Sequence, residues 1–448
     1  MGISLRRRRC IFRQSVQVVK YKMRKLFAFG LTFLALSYLA LLVVFTASPK
    51  RLYSSGEGWF QTPCDFGMRL NEVKCLRMGI DPFDVWHGDK KVKPFLPNWG
   101  EARVALGGGG GGYTEYINAY APWEYMVMLP LSFLGRKSAS AIYFFTMLGS
   151  LSILFSIGLG FIRRQIPKES GAFQISLAEL AILCSAIPIL QDFISGNLSL
   201  ISVTGIALMA CALNAKKDIL AGFCWAIGML KPQLGLIFAI PLLLRRKWLV
   251  CFTASIVCLI LTIPPAIMCN VSPLKLILET PAANTFAFNG CGSAPYILLE
   301  VLPRNVVIYT GLALGVALCL LMTSRVSKAE EENQDWLIYL MPAAVCAMSW
   351  SYSQCYAHAF CWFYFLILIV ELAKYPKSRF LWVVAAFSLF SLTRVYNFAH
   401  TLINISGVLE ESGINESVHY TIDSLNSTLD ILLCLVFCAW RKRCEKQR

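Results

Sequence analysis

An all-α polytopic membrane protein is what this sequence predicts, and three observations carry the expectation. The chain is 56% hydrophobic and only 15% charged, with a mean hydropathy of +0.57, where soluble domains carry about 25% charged residues. Its apolar residues gather into stretches of membrane-crossing length, and its Lys and Arg into short blocks beside those stretches. A formal net charge of +16 would suit nucleic acid if it were spread over one face. Basic blocks at the ends of apolar spans act instead as positive-inside anchors, so nucleic-acid binding is not expected.

The elements follow in order. Residues 1–25, with Arg6 to Arg9, Arg13, Lys20, Lys22, Arg24 and Lys25, form a basic cytoplasmic N-terminus ahead of an apolar span over 26–46. That span is long enough to cross roughly 30 Å of hydrocarbon. It exceeds a signal-peptide core and no small-x-small cleavage site follows it, so it reads as an uncleaved anchor. Residues 48–120 turn polar and form a large exoplasmic loop, which contains six consecutive glycines from Gly107 to Gly112. Such a run cannot hold regular structure cheaply and reads as a linker or as a hinge.

Apolar stretches then recur at 122–134, 139–161, 175–191, 198–214, 218–243, 248–268, 305–323, 336–354, 356–373, 379–398 and 428–440. With the first span they give about ten to thirteen crossings within a membrane-embedded body over 26–440. The 122–134 stretch is short enough to be a span, a half-span or an interfacial helix. The 218–243 stretch lies between Lys216-Lys217 and Arg245-Arg246-Lys247, so a single crossing would put one basic cluster outside. Two half-length helices meeting at Lys231-Pro232 keep both inside, because proline breaks the backbone ladder there. Further exoplasmic loops are expected at 269–304 and 399–427, and the basic tail 441–448 is expected to be cytoplasmic.

Seventeen cysteines do not make a disulfide framework here, since Cys184, Cys211, Cys224, Cys251, Cys258, Cys319 and Cys434 lie inside apolar runs as packing residues. Cys64, Cys75 and Cys291 fall in expected exoplasmic loops, which leaves one disulfide open.

Three constellations could carry chemistry. The first is Cys64-Asp65-Phe66, then Gly79-Ile80-Asp81-Pro82-Phe83, then Tyr120-Ala121-Pro122-Trp123. A carboxylate at the membrane surface can take a proton from a sugar hydroxyl as it attacks an activated anomeric carbon. Asp81, ahead of a proline, equally suits a turn. The second is Gly196-Asn197-Leu198-Ser199 with Lys231-Pro232-Gln233. A lysine in the middle of an apolar stretch requires an anionic partner or a wet cavity, and a phosphate would serve; the alternative is snorkelling to the interface. The third runs from Trp350 to His358, with Arg394, Tyr396, Asn397 and His400 near the end of a later stretch. His358 and Arg394 at a membrane edge could bind phosphate or hydroxyls, or His358 could be a core residue. No GxxxxGK[ST], HExxH or paired CxxC occurs, and the first loop lacks a DxD, its aspartates beyond Asp65 being spaced as Asp81, Asp84 and Asp89. No metal or other cofactor, and no nucleotide-sugar donor, is expected.

Taken in order, Asp65-Phe66, Gly-x-Asp-Pro-Phe, the Pro122-Trp123 entry, Gly-Asn-Leu-Ser, Lys-Pro-Gln before Arg245-Arg246-Lys247-Trp248, and the serine-rich run to His358 resemble glycosyltransferase family 87, over about residues 25–400. The resemblance implies the GT-C type of helical bundle and a catalytic aspartate in the first exoplasmic loop. It implies a donor sugar on a polyprenyl monophosphate and a lipid or glycan acceptor, in a multi-pass protein of the bacterial inner membrane surrounded by its lipids. The matching positions are Asp65 as base with Asp81 second, and Lys231, His358, Asn197, Gln233 and Arg394 as donor or acceptor contacts. An inverting transfer of a hexose such as mannose follows, since a single displacement suffices when phosphate is the leaving group. A transporter or flippase of a lipid-linked saccharide is the rival, and it would require broken spans in both halves of the chain.

Overall fold

The computed structural model describes residues 64–86, 121–279 apart from 169, 185, 187, 190, 191, 194 and 195, then 302–326, 335–349, 355–393 and 416–446. The first apolar span, the hexaglycine run, Asp89 and Arg394 lie outside these residues. The described elements are α1 (Cys64–Arg77), α2 (Pro82–Trp86), α3 (Pro122–Met128), α4 (Arg136–Gln165), α5 (Gly171–Cys184), α6 (Ser199–Asn214) and α7 (Asp218–Gly228). They continue with α8 (Pro232–Leu244), α9 (Trp248–Cys269), α10 (273–279), α11 (Arg304–Arg325), α12 (Trp336–Cys346), α13 (Trp362–Lys374), α14 (Arg379–Thr393) and α15 (Glu416–Lys446). No strand occurs among the described residues. An all-α membrane protein is what the sequence predicts, and it is what the structure shows.

Among the described residues, three helical segments are long and apolar enough to cross a bilayer: Ser138–Gln165, Trp248–Cys269 and Ala357–Lys374. The first two keep large apolar side chains such as Phe145, Phe252 and Ile267 exposed, which lipid tolerates at no cost. The third is buried and forms the centre with α12, every residue of which from Leu337 to Cys346 is buried. Side chains of both pack on all sides, with Trp362 edge-on to Phe363 and Phe238 against Phe360 and Phe363.

Polar contacts gather one end of the helices. Lys247 pairs with Asp218 at 2.9 Å, Asp335 takes Arg164 at 2.6 Å and Asn214 at 2.8 Å, and Lys374 reaches Gln165 at 2.7 Å. Arg245 lies over the Tyr339 ring, and Tyr375 meets Trp440 edge-on. Lys217, next to Asp218, and Lys247 therefore sit at the same end, as a broken 218–243 segment requires. Helices α7 and α8 are the two halves, joined across Met229 to Lys231.

Helices α5 to α8 are short for a bilayer. At 1.5 Å per residue, α5 is about 21 Å long and α6 about 24 Å, with α7 and α8 shorter still. Their connections away from the basic end thus fall less than a bilayer thickness from it, and those connections carry Asp192, Asn197 and Lys231. Glycine permits the close approach. A Cβ on Gly205 of α6 would lie 2.6 Å from the Gly228 amide nitrogen, and one on Gly235 of α8 would lie 2.6 Å from the Gly228 carbonyl oxygen.

Two expectations are sharpened or corrected. Of the three readings left open for the 122–134 stretch, the short helix α3 followed by a 3-10 turn over Leu129–Phe133 narrows the choice to a half-span or an interfacial helix. The loop expected to run to residue 427 ends earlier, because α15 is already helical from Glu416. Its Ser424, Ser427 and Asp430 are buried, so the helix packs a polar face inward and hydropathy alone could not find its first turns.

Candidate active site

Helix α1 inserts into the bundle through Phe66, Leu70, Val73 and Leu76, apolar residues at helical spacing that are all buried. Arg69 and Glu72 are buried among them. The Arg69 guanidinium makes an ion pair through Nε with Glu124 in the first turn of α3, and its Nη1 donates to the Gly196 carbonyl at 3.3 Å. Both members of the Arg69–Glu124 pair are 1% exposed at the side chain. In that low-dielectric setting each depends on the other, because a buried charge left alone costs several kcal/mol.

Gly196 opens the Gly-Asn-Leu-Ser turn with φ of 79°, a conformation that favours glycine. The Gly196 and Asn197 amides donate to the Asp192 carbonyl at 3.0 and 3.2 Å, and Tyr143 Oη of α4 donates to the Asn197 carbonyl at 2.8 Å. Asn197 Oδ1 accepts from the Leu198 amide at 2.8 Å. Asp192 is 0% exposed. Its carboxylate accepts from the Ser199 amide at 3.3 Å and the Leu200 amide at 2.6 Å, so it caps the start of α6. The charges of Lys231 and Arg69 act on this buried carboxylate.

Lys231 stands at the break between α7 and α8 and is 2% exposed. Its carbonyl accepts from the Leu234 and Gly235 amides, which start α8. Two indoles hold the break. Trp123 Nε1 of α3 donates to the Met229 carbonyl at 2.7 Å, and Trp225 Nε1 donates to the Gly235 carbonyl at 3.0 Å. Gln233 is half-buried one position beyond Pro232.

Four of the segments singled out from the sequence therefore converge. The Asp65 helix, the Pro122-Trp123 entry, Gly-Asn-Leu-Ser and Lys-Pro-Gln are joined through Arg69, Glu124, Trp123 and Asp192. Asp65 is in the first turn of α1, four residues before Arg69; its side chain is outside the described set. The anionic neighbour that a buried lysine requires is Asp192.

Other candidates are elsewhere. Asp81 is 1% exposed, with Oδ1 accepting from the Phe83 amide at 3.0 Å in a turn and Oδ2 from Lys275 at 3.2 Å. Lys275 also approaches Asp84 at 3.7 Å and Glu279 at 3.5 Å. Burial pulls the Lys275 ammonium down, but Asp81, Glu279 and Asp84 outweigh it and leave its pKa raised. His358 is buried in a third cluster, between Asp430 and Ser427, as its reading as a core residue expects. Cys75 is a free, buried thiol, pushed up to about 12 by burial and then by Glu72. The side chain of Cys64, and Cys291 as a whole, lie outside the described set.

Sequence reasoning missed Arg69, Glu72, Glu124 and Asp192. The signal was present for two of them: Glu124 is an acid inside an apolar stretch, and Asp192 directly follows one, both positions where an ionised group requires a stated partner.

The family model of glycosyltransferase family 87 matches residues 118–349, from just before α3 to the 3-10 turn after α12. The match takes in Glu124, Asp192, Asn197, Lys231 and Gln233 and stops short of His358. No curated protein and no protein of solved structure matches the chain. With more than half of its length matched, this chain belongs to glycosyltransferase family 87 and is an integral membrane glycosyltransferase that joins a sugar donor to an acceptor.

Proposed function

We propose that the enzyme transfers a hexose, with mannose the first candidate, from a polyprenyl-monophosphate carrier to a lipid-linked or cell-envelope glycan on the exoplasmic face of a bacterial cell membrane. The observation that supports this reading is the convergence of α1 with the Gly-Asn-Leu-Ser turn and the Lys231 break, at the ends of short helices. In this reading the candidate base lies one helical turn along the chain from a buried charged cluster, and a lipid-borne phosphate enters from the side.

In the proposed reaction Asp65 accepts the proton of the acceptor hydroxyl. The acceptor oxygen bonds to the anomeric carbon while the bond from that carbon to the phosphate oxygen breaks, and the electron pair leaves with the polyprenyl phosphate. One displacement inverts the anomeric centre. Lys231, with Gln233 and Asn197 as further contacts in this proposal, meets the phosphate as its negative charge grows. Asp192 fixes the start of α6 and shares its field with Lys231.

Purified protein in lipid nanodiscs, given polyprenyl-phosphate-mannose, -glucose or -arabinose with a lipid extract as acceptor, tests this. One polyprenyl-phosphate hexose should be consumed and an inverted glycoside formed. Transfer from a nucleotide sugar alone, with every polyprenyl-phosphate donor inert, would overturn the reading.

A further inference from the structure

We infer that His358, Cys361 and Asp430 form a structural site for a divalent transition metal, zinc by its donor set, which clamps α15 to the turn preceding α13. Residues Cys355–Cys361 form a 3-10 helix, in which positions three apart eclipse, so His358 and Cys361 point the same way. Facing them on α15 are Ser427 and Asp430, again three apart and on one face. His358 Nδ1 lies 3.0 Å and Cys361 Sγ 3.7 Å from Asp430 Oδ2, and the donor atoms lie within 4.8 Å of one another. Tetrahedral zinc, with bonds of about 2.0 to 2.3 Å, separates its ligand atoms by roughly 3.3 to 3.8 Å, so small side-chain adjustments admit the ion.

Three features go beyond a hydrogen-bonded histidine. Asp430 is 1% exposed, and its Oδ1 is buried with no hydrogen-bond partner, a state in which carboxylates seldom remain. The other ring nitrogen of His358, Nε2, is 3.1 Å from Ser427 Oγ, the outer hydrogen bond that orients a metal-ligating imidazole. The nitrogen, sulfur and oxygen set suits zinc, and calcium and magnesium poorly. On binding, Cys361 releases its thiol proton to solvent. The thiolate and the Asp430 carboxylate then neutralise a divalent ion inside the bundle, with histidine neutral. The site is separate from the reaction proposed above and is untouched if that reading fails.

The full chain, purified in detergent without chelator, should carry about one zinc per protein by elemental analysis. In Cys361→Ser and Asp430→Asn the content should fall at least roughly tenfold. Cobalt added to the metal-free chain should give a thiolate-to-cobalt absorption band that Cys361→Ser lacks. Cys361→Ser, nearly the same size, keeps the test open if Asp430→Asn does not fold. Chelation should lower the Tm of the wild type and leave that of Cys361→Ser unchanged. A wild type that neither carries zinc nor takes up cobalt, or binds both equally well in the two variants, would overturn the site and leave a hydrogen-bonded Ser427–His358–Asp430 chain.

Discussion

Two lysines, each set among carboxylates, behave differently in this molecule. Lys231 is 2% exposed and shares the buried interior with Asp192, Arg69 and Glu124. Lys275 is 42% exposed at the side chain and braces Asp81, Asp84 and Glu279 at the start of α10. A half-exposed cation is screened by water, and its pairings are worth about 0 to 1 kcal/mol. A buried one must be held by a fixed arrangement of neighbours, and removing a partner costs about 3 to 5 kcal/mol. The two aspartates weighed as bases differ in their setting. Asp65 lies four residues before Arg69 on α1, whereas Asp81, itself buried, is engaged in a turn and by Lys275. Charge alone does not distinguish the two clusters; burial and the helix breaks around Lys231 do.

The largest expected effect separates the aspartates. Asp65→Asn keeps the shape and removes the basic oxygen, so turnover should fall about a hundredfold to ten-thousandfold with donor binding intact. Asp81→Asn should lower turnover only a few-fold, through a loosened turn. An Asp65→Asn enzyme within a few-fold of wild type beside an inactive Asp81→Asn would reverse the assignment.

Next comes the ion pair. Glu124→Gln strands Arg69 in the interior and should destabilise the protein by about 3 to 5 kcal/mol, read as a fall in Tm in detergent. Gly235→Ala follows, because its Cβ would lie 2.6 Å from the Gly228 carbonyl oxygen. Overpacking of that kind costs about 1 to 3 kcal/mol, and the strain would fall on the Lys231 break. Lys275→Ala should be mildest, shifting stability by about 1 kcal/mol or less. A Lys275→Ala loss equal to that of Glu124→Gln would erase the distinction between the clusters.

Much of the fold was legible because hydropathy reports burial in lipid directly. The α7–α8 break was readable from two basic clusters that one crossing would have separated, and from Pro232. The first turns of α15 were not, because Ser424, Ser427 and Asp430 face inward there and read as a loop. At the site, Lys231 stood out as a charge in an apolar run, and Asp65 through its place in an ordered set of motifs. Arg69 and Glu72 could not be found that way, since they lie in a segment that reads as a loop and mixes several charges with its apolar residues, where nothing local says which charges the bundle will bury. His358 resembled a membrane-edge ligand only because its partners, Ser427 and Asp430, are some seventy residues away in the chain.

The central claim is that the buried lysine, and not the braced one, meets the donor's phosphate. Donor binding to Lys231→Ala and Lys275→Ala, measured side by side with a polyprenyl-phosphate hexose in nanodiscs on protein shown to be folded, tests it most directly. The account predicts a Kd weakened at least roughly tenfold in Lys231→Ala, only partly restored in Lys231→Arg, and unchanged in Lys275→Ala. Wild-type affinity in a folded Lys231→Ala protein would contradict it and leave Lys231 as the structural counter-charge of Asp192.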